Sequence, residues 1–326
     1  MAGGVFEAMN KVRPGAYIVF QSASQPLNMV GDRGIATLPI QMNWGANDTL
    51  IELTPEQLLD GSCESIIGCN IMEEESLIYQ QVLTDCVKVL LFRMDTGGVK
   101  ATLTLNTLTA TAKYAGTAGN KIAVSIVENG SNFDVITSFN GAVVDTQTGA
   151  LVGDIVDNDF VDFSGTSIAA LVANAGGELE DGENGTVVNS TYSKYFDLLK
   201  TAKWNTLGIP LETSTEIQAQ LKTFIKYMRD TVGTKVQAVA NNIDADTEGI
   251  ISTLNQGYKS DQYNITIPMF VARVTGMTAG CAINKSLTYY AFEDANEIIG
   301  QLSHEEIVSA LQSGKFVLSA RQDGVV

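Results

Sequence analysis

The middle third of the chain breaks the pattern that its two ends share. Residues 99–190 are rich in Thr and Gly and alternate apolar with polar positions as strands do, whereas both flanks alternate helical and strand periods. Gly116 and Gly119 directly precede the alternating run 122–126, which predicts a bend leading into a strand. A surface loop can accept a whole domain. We therefore expect an α/β (α+β) core domain with an inserted β-rich domain, barrel-like or sandwich-like.

The same change of pattern predicts the domain boundaries. Residues 21–98 together with 191–326 form a discontinuous α/β core, which we expect to continue beyond residue 326, and residues 99–190 form the insert. Residues 1–20 are interpreted as an extended N-terminal arm, because Pro14 and Gly15 mark a turn before a short apolar run. The residues of that run are predicted to lie at a subunit interface: Ala16, Tyr17, Ile18, Val19 and Phe20.

Charge restricts the partners. The 326 residues include 20 basic and 37 acidic side chains, a net charge of −17, which argues against binding to nucleic acid or to an anionic membrane surface. The segment 99–190 alone holds 3 basic and 11 acidic residues. Such a surface repels its own copies, so we expect the insert to point outward and the partners to be proteins.

Cysteine usage and hydropathy indicate where the protein is made. Cys63, Cys69, Cys86 and Cys281 show no CxxC spacing, and the N-terminus has no signal-peptide pattern, so synthesis in a reducing cytoplasm is expected. No apolar run reaches the roughly 20 residues of a membrane helix. Membrane insertion is therefore not expected.

Both flanks predict a sheet covered by helices. Thr54 before Pro55 and Glu56 marks a helix start. The other flank segments predict strands at 34–42, 50–53, 87–93, 205–211, 235–240 and 315–320, and helices at 73–85, 192–202, 215–231, 267–281 and 304–313.

The C-terminal end predicts an incomplete hairpin. Asp323-Gly324 follows the strand 315–320, and Asp-Gly between apolar runs is a strong hairpin signal. The sheet edge left beside it can accept a strand from another molecule. We therefore predict that the apolar residues here also lie at a subunit interface: Phe316, Val317, Leu318, Val325 and Val326.

Possible catalytic motifs have simpler interpretations. Asp95-Thr96-Gly97 matches the aspartic-protease triplet, but the chain has one copy and that reaction needs two carboxylates, so we interpret it as a strand exit turn. His304 follows Ser303 and precedes two acids, as at a capped helix start, and a single histidine gives no two-His metal site.

Three further segments and two tryptophans are interpreted in the same way. The acidic stretches 157–162 and 244–248 lack the calcium-loop pattern and are predicted to be solvated turns. Residues 116–121 lack the second element of a phosphate loop. Trp44 and Trp204 are interpreted as core or interface anchors. We therefore expect no catalytic residue, no metal and no cofactor.

Several short motifs, in their order and spacing, resemble one family. They follow the pattern of the tail sheath proteins of contractile phages, defective prophages and phage-tail-like bacteriocins over most of residues 90–326. The matching segments are Ala-x-Tyr-x-Gly-Thr-x-Gly-Asn-x-Ile-x-Val at 112–124, Phe-x-Val at 133–135, Trp-Asn-Thr-Leu at 204–207, Asn-x-Ser-Leu-Thr-Tyr at 284–289 and the Pro-Gly-x-Tyr arm at 14–17. The run Lys-Val-Gln-Ala-Val at 235–239 resembles the family's Lys-x-Val-Gln-Ala-Val strand, with one residue fewer after the lysine.

The resemblance implies a structural subunit without a reaction of its own. Such subunits stack as hexameric rings around a tail tube and then contract, and the implied partners are further copies, the tail tube protein, and the baseplate and tail terminator proteins. An infectious phage, a defective prophage and a bacteriocin all remain open as the parent particle.

Two other classes of protein share some of these sequence features. An α/β enzyme would bind a small molecule at the C-terminal ends of its strands. A secreted adhesin or surface-layer protein would also be acidic, but it would need an export signal and preferably no free cysteines.

Overall fold

The structure, a computed structural model, describes residues 34–211, 214–244, 247–254, 256–282, 284–321 and 324–326. The predicted arm residues 16–20 and the turn residues 322–323 lie outside this part. The first flank contributes the predicted strands and helices and one further short helix, Cys63–Ile67, that was not predicted. They are β1 (Ile35–Ile40), β2 (Leu50–Leu53), α1 (Pro55–Asp60), α2 (Cys63–Ile67), α3 (Leu77–Leu83) and β3 (Lys88–Arg93), with a 3₁₀ turn at Glu74–Ser76 before α3.

The middle of the chain is made of strands joined by tight turns and by longer loops, two of which contain a 3₁₀ helix, Thr117–Lys121 and Val152–Asp154. The strands are β4 (Asp95–Thr96), β5 (Thr102–Leu105), β6 (Leu108–Ala112), β7 (Ile122–Asn129), β8 (Asn132–Phe139), β9 (Ala142–Gly149), β10 (Val161–Gly165), β11 (Asn174–Glu178) and β12 (Thr186–Val187).

The second flank returns to helices and strands. They are α4 (Thr191–Leu199), β13 (Thr206–Ile209), α5 (Thr215–Lys226), β14 (Gln237–Asn241), β15 (Ile250–Thr253), β16 (Gly257–Lys259), β17 (Asn264–Ile265), α6 (Ile267–Gly280), β18 (Glu297–Ile299), α7 (His304–Gln312), β19 (Lys315–Phe316), β20 (Ala320–Arg321) and β21 (Gly324–Val325). A π-helical segment, Tyr227–Val232, follows α5 directly.

One seven-stranded sheet joins the two flanks. Its strand order is β19-β15-β14-β13-β1-β3-β2, parallel throughout except for the β2–β3 pair. β1 lies beside β13, with Ala36 opposite Thr206, so strands from either side of the β-rich region are neighbours. Every residue of β1 and β13 is buried, as expected for parallel strands covered on both faces.

Helices cover opposite faces of this sheet. Successive strand residues point to opposite faces. Accordingly Leu90 and Phe92 pack with the side chains of α4 and α5, while Val89 and Leu91 pack with those of α1, α2, α3 and α6. The α4–α5 layer and the α1–α3 layer therefore lie on opposite sides of the molecule's central sheet.

The β-rich middle forms a sandwich. Three strands, β10-β6-β5, make one antiparallel sheet, and four strands, β11-β7-β8-β9, make the other. Both sheets contribute to one apolar cluster, for example Leu105 and Ala110 from the first and Ile122 and Phe139 from the second. An α/β core combined with a β sandwich is the fold class that the sequence predicts, and that expectation is confirmed.

The C-terminal region departs from the sequence-based expectations in two places. The predicted strand 315–320 is divided into β19 and β20, because the Leu318 amide donates to Oε1 of Gln256 at 2.9 Å instead of joining the sheet. β16, β17 and β18 form a small antiparallel sheet that sequence reasoning missed. The predicted hairpin is confirmed by the antiparallel pairing of β20 with β21.

Candidate functional site

Ten residues are predicted at subunit interfaces, and the structure describes the five at the C-terminal end. Leu318 and Val325 are buried in the chain's own apolar cluster with Phe270 and Phe292. Their side chains are therefore used inside the subunit, which limits any interface role of these two residues to their backbone.

The other three C-terminal residues remain accessible. Phe316, Val317 and Val326 are half-buried. Ser319 and Val326 exchange two backbone hydrogen bonds, at 2.7 and 3.0 Å, which hold the end of the chain against the preceding strand. An interface role for these residues, as for residues 16–20, stays a prediction.

An open sheet edge lies next to these residues. β19 pairs with β15 through Ser252–Lys315 and Thr253–Phe316, and among the described residues no strand pairs with its other side. A largely apolar cavity of about 610 Å³ adjoins this edge. Its walls include Leu287, Tyr289, Ile307, Leu311, Phe316 and Val317. Backbone hydrogen-bonding groups and apolar surface are therefore available together, as strand addition requires.

α7 borders the same cavity and is weakly packed. Its N-terminus has the predicted cap: the Ser303 hydroxyl accepts the Glu306 amide, and the Glu306 carboxylate accepts the Ser303 amide at 2.8 Å. His304 is the first helical residue, as expected. All residues of α7 are described, and none is buried; Leu311 is 57% exposed. The apolar side of this helix, with Ile307 half-buried and Leu311 exposed, is therefore only partly covered by the described chain.

The junction between the core and the sandwich contains a buried ion pair. Arg93 and Asp95 are 1% exposed, and Arg93 Nε and Nη2 donate to Asp95 Oδ2 at 2.9 and 2.6 Å. Arg93 Nη1 also donates to the carbonyl oxygens of Gly45 in the core and Ala115 in the sandwich, at 2.9 and 2.8 Å. Met42 donates its amide to Asp95 Oδ1 at 2.9 Å. Each charge is thus neutralised and hydrogen-bonded.

The interpretation of Asp95-Thr96-Gly97 as a plain exit turn is therefore incomplete. Asp95 and Thr96 form β4, which pairs antiparallel with β12, and only Gly97, with φ +77°, is in a turn conformation. Sequence reasoning missed Arg93, the ion-pair partner of Asp95. The spacing of two residues between them was a signal for this pair, because side chains two residues apart in an extended chain lie on the same face.

Trp44 belongs to the first flank by sequence but to the sandwich by packing. It is fully buried in the sandwich cluster, its ring meets Tyr114 edge-on at 5.2 Å, and its Nε1 donates to the Ser65 carbonyl at 2.9 Å. Trp204 is buried in the core and donates to the Leu199 carbonyl at 2.9 Å. Both tryptophans are core anchors, as predicted, and Trp44 ties the two domains together.

The segment 116–121 also holds this junction. It forms a 3₁₀ helix whose backbone amides already have partners: Gly116 donates to Val99, Thr117 to the Asn184 side chain, Ala118 to Asn43 and Gly119 to Gly116. These amides are not available to a phosphate. A Cβ on Gly116 would lie 2.0 Å from the Asn43 carbonyl oxygen, so only glycine fits this close approach.

A partly exposed ion pair completes the contact. Lys121 Nζ lies 2.5 Å from Glu73 Oε2 and 3.5 Å from Glu75 Oε2. Burial acts to raise the pKa of Glu73, but the hydrogen bond from Lys121 and those from Asn70 and Asn140 outweigh it, so the pKa is lowered from 4.5. The junction thus combines buried and exposed contacts.

The acidic stretch 157–162 forms a hydrogen-bonded turn. Asp157 accepts the Phe163 amide at 2.7 Å, and Asn158 accepts the Phe160 and Val161 amides at 2.9 and 2.8 Å. Asp162 pairs with Lys100 at 3.1 Å. The second acidic stretch, 244–248, falls partly outside the described residues. Within the described part of the chain, no cluster of three His, Cys, Asp or Glu side chains is arranged to hold a metal ion.

All four cysteines are free thiols. Burial is the largest cause that raises the pKa of Cys63 to about 11 and the pKa values of Cys69 and Cys86 to about 12. The thiols of these three cysteines are therefore neutral at physiological pH and act as small apolar side chains. In the part of the chain that the structure covers, the helices are too short or too polar to span a bilayer.

Comparison with known families agrees with this architecture. The phage tail sheath protein central domain matches residues 185–326, and the phage tail sheath protein beta-sandwich domain matches residues 96–184. The chain belongs to the phage tail sheath protein family. Membership places it among the structural proteins of phage tails, and it confirms the resemblance on which the sequence-based expectation depends.

Relatives of known name or structure support the assignment. The phage-like element PBSX protein XkdK of Bacillus subtilis is 30% identical over 98% of this chain and 72% of its own length. A solved sheath tail protein from Desulfitobacterium hafniense is 34% identical, with a TM-score of 0.83 over 96% of this chain and 73% of its own. A sheath tail protein from Listeria innocua is 30% identical, with a TM-score of 0.80 over 90% and 67%.

Proposed function

We propose that this protein is the subunit of a contractile tail sheath. It polymerises as stacked hexameric rings around a tail tube, and the polymer shortens to drive the tube through the envelope of the target cell. The partners are further copies of the chain, the tail tube protein, and the baseplate and tail terminator proteins. Synthesis and assembly take place in the cytoplasm of the bacterial host, the subunit functions without catalysis, and the assembled protein is part of the tail.

The observation that carries this proposal is the contrast between the tightly packed junction of the two domains and the unpaired edge of β19. A subunit that transmits force should not bend between its domains, and the Arg93–Asp95 pair with Trp44 ties the sandwich to the core. A subunit that stays attached while it reorients needs flexible connections, and β19 offers an unpaired edge within the described chain. Main-chain hydrogen bonds to an added strand supply such a connection.

The connecting segments proposed are the two ends of the chain. The run 16–20 of one subunit adds as a strand to the sheet of a neighbour, and the region from Phe316 to Val326 supports the acceptor edge. In this arrangement different patches of one subunit meet different neighbours, which produces open helical stacks.

Deletion of residues 1–20 tests this proposal. We expect the shortened chain to keep the circular dichroism spectrum and thermal transition of the intact chain but to form no tubes or rings in electron micrographs. The matched control replaces residues 1–20 with a Gly/Ser segment of the same length, which should fail in the same way. Polymers formed by the deleted chain would contradict the role of the arm, and compact single particles of the intact chain would contradict self-assembly.

A further inference from the structure

A polar cavity lies where the carboxyl end of β1 meets the sandwich. It has a volume of about 300 Å³, and its walls include Asn43, Glu75 and Tyr79 from the core and Thr117 and Asn184 from the sandwich. Among its described lining residues one is acidic and none is basic. Domain junctions and the carboxyl ends of parallel strands are the usual places for small ligands in α/β folds. The absence of a lining cation disfavours an anionic ligand here.

Tyr79 presents an unused hydroxyl to this cavity. Its side chain is 4% exposed, and its hydroxyl has no hydrogen-bond partner in the described part of the chain. Burial is the largest cause that raises the pKa of Tyr79, so the hydroxyl is neutral at physiological pH. Leaving a buried polar group unpaired costs free energy. A hydrogen bond between this hydroxyl and a ligand would therefore be favourable.

Two further oxygen atoms beside Tyr79 are unused. Asn43 Nδ2 donates to Glu75 Oε2 at 3.0 Å, which leaves Asn43 Oδ1 and Glu75 Oε1 without hydrogen-bond partners among the described residues. Glu75 precedes Tyr79 by four residues at the start of α3, and side chains at that spacing are neighbours on a helix. The Glu75 charge accordingly adds to the rise in the pKa of Tyr79 that burial causes. Three hydrogen-bond acceptors are thus available together.

The charge balance at the cavity favours a cation. Lys121 Nζ is 2.5 Å from Glu73 Oε2 and 3.5 Å from Glu75 Oε2, so one ammonium is shared by two carboxylates. Neither carboxylate has another ion-pair partner within the described chain. One negative charge is therefore left over beside the cavity, on the side of Glu75, which is the more distant from Lys121. A positively charged ligand gains from this charge, whereas a neutral one does not.

We propose that this cavity binds the ammonium group of an alkylamine. The three N–H donors of a primary ammonium match the three free oxygens of Asn43, Glu75 and Tyr79. The alkyl chain lies against the apolar walls formed by Met42 and Ile78. Because Thr117 and Asn184 belong to the opposite wall, the bound amine contacts both domains and stabilises their junction. A free diamine and a lysine side chain of another protein both carry this group.

Titration calorimetry on the intact chain tests the site with three probes. We expect 1,4-diaminobutane to bind and to raise the melting temperature. Its uncharged analogue 1,4-butanediol should bind at least about tenfold more weakly, because hydrogen bonds to a charged donor are stronger. Nα-acetyl-lysine methylamide separates the sources: binding as tight as that of the diamine assigns a lysine side chain, and binding of the diamine alone assigns a free amine. Binding of neither amine, or equal binding of the diol, would overturn the inference.

Two variants locate the binding. Tyr79→Phe removes a hydroxyl that has no partner in the described chain, so the urea midpoint should stay unchanged while the association constant of the diamine falls at least about tenfold. Glu75→Gln, at an exposed position, should weaken binding to a similar extent without altering the core. The control is Tyr192→Phe, which removes a hydroxyl that is also buried and unpartnered but lies outside the cavity, and it should bind as the native chain does.

The two variants give separate decisions. Native affinity in Glu75→Gln, or in a folded Tyr79→Phe chain, would overturn the inference, and Glu75→Gln alone decides if Tyr79→Phe does not fold. An equal loss in Tyr192→Phe would show that binding occurs elsewhere and would overturn it as well. All these measurements need only the folded subunit, so their outcome is independent of the proposed self-assembly.

Discussion

The junction between the core and the sandwich and the sheet edge at the C-terminal end differ in how completely their side chains are buried and paired. At the junction, Arg93 and Asp95 are fully enclosed, and each has charged and hydrogen-bonded partners. At the edge, α7 has no buried residue although the structure describes all of it, and apolar side chains such as Leu311 face solvent. The first arrangement is complete within one chain, whereas the second leaves binding capacity for another segment.

The difference shows where this sequence specifies rigidity. Burying an ion pair costs desolvation, and removal of one partner leaves the other charge uncompensated in the interior, so a buried pair tolerates little change in its geometry. Exposed apolar side chains add little to the stability of a monomer, but they are ready to bind. Variants at the two regions should therefore have opposite signatures: large effects on folding at the junction, and large effects only on assembly at the edge.

The strongest test of the junction is Arg93→Ala. Removal of the Arg93 guanidinium leaves Asp95 buried without a counter-charge. This should lower the free energy of unfolding by about 3–5 kcal/mol, measured by urea denaturation. The matched control is Arg321→Ala, whose guanidinium lies 4.1 Å from the centre of the exposed Tyr289 ring and should cost about 1 kcal/mol or less. Equal losses in the two variants would remove the contrast between junction and edge.

A smaller effect is expected from Gly116→Ala. Its backbone has φ +130°, and the added Cβ would meet the Asn43 carbonyl oxygen, so the contact should cost about 1–3 kcal/mol beyond backbone strain. Gly130→Ala is the control, because Gly130 also has a positive φ, +65°, but has no described atom within 4 Å of the added Cβ. Similar urea midpoints for both variants would show that the domains are not in close contact there.

The Lys121–Glu73 pair should make stability depend weakly on pH. Since the pKa of Glu73 is lowered from 4.5, its contribution is present above that value and is lost as pH falls through the lower folded pKa. The pair is partly exposed, so about 0–1 kcal/mol is at stake.

Urea titrations at about pH 6 and about pH 3.5 measure this loss. Lys121→Met should reduce it, whereas Lys88→Met, which removes a more exposed pair with Glu52 at 2.7 Å, should not. An unchanged pH dependence in Lys121→Met would exclude a role of this pair in the junction.

The smallest effect on folding is expected at the edge. Leu311→Ala should change the free energy of unfolding by no more than about 0.5 kcal/mol, because the side chain is 57% exposed, yet it should weaken polymer formation seen by electron microscopy. Leu221→Ala in α5, which is 1% exposed, should cost about 2–5 kcal/mol instead. A comparable loss of stability in Leu311→Ala would mean that α7 is covered within the subunit.

Periodic and capped segments of the fold could be predicted from the sequence. The helix starts at Thr54 and Ser303 follow from local capping chemistry, and β3 follows from a continuous apolar run. The start of β7 after Gly119 follows from alternation. Each of these signals lies within a few residues, which is why a single sequence is sufficient.

Features that depend on distant partners could not be predicted. The break at Leu318 is due to the Gln256 side chain, 62 residues earlier, and β15 is too short to have its own pattern. Trp44 could be predicted as an anchor, but its place in the sandwich depends on Tyr114 and on the insert folding beside it. At the proposed sites, residue type alone did not distinguish buried Leu318 from accessible Val317.

The placement of β1 beside β13 also affects the order of folding during synthesis. Asn205 accepts the Ile35 amide across a separation of 170 residues, so one side of β1 stays unpaired until the ribosome has made that later segment. At about 5–20 residues per second, this delay is roughly ten to thirty seconds. The whole sandwich is translated in the interval, and its strands pair mostly with near neighbours in sequence. We therefore infer that the sandwich folds first and that the central sheet closes around its two ends afterwards, which leaves an apolar strand exposed to chaperones in the meantime.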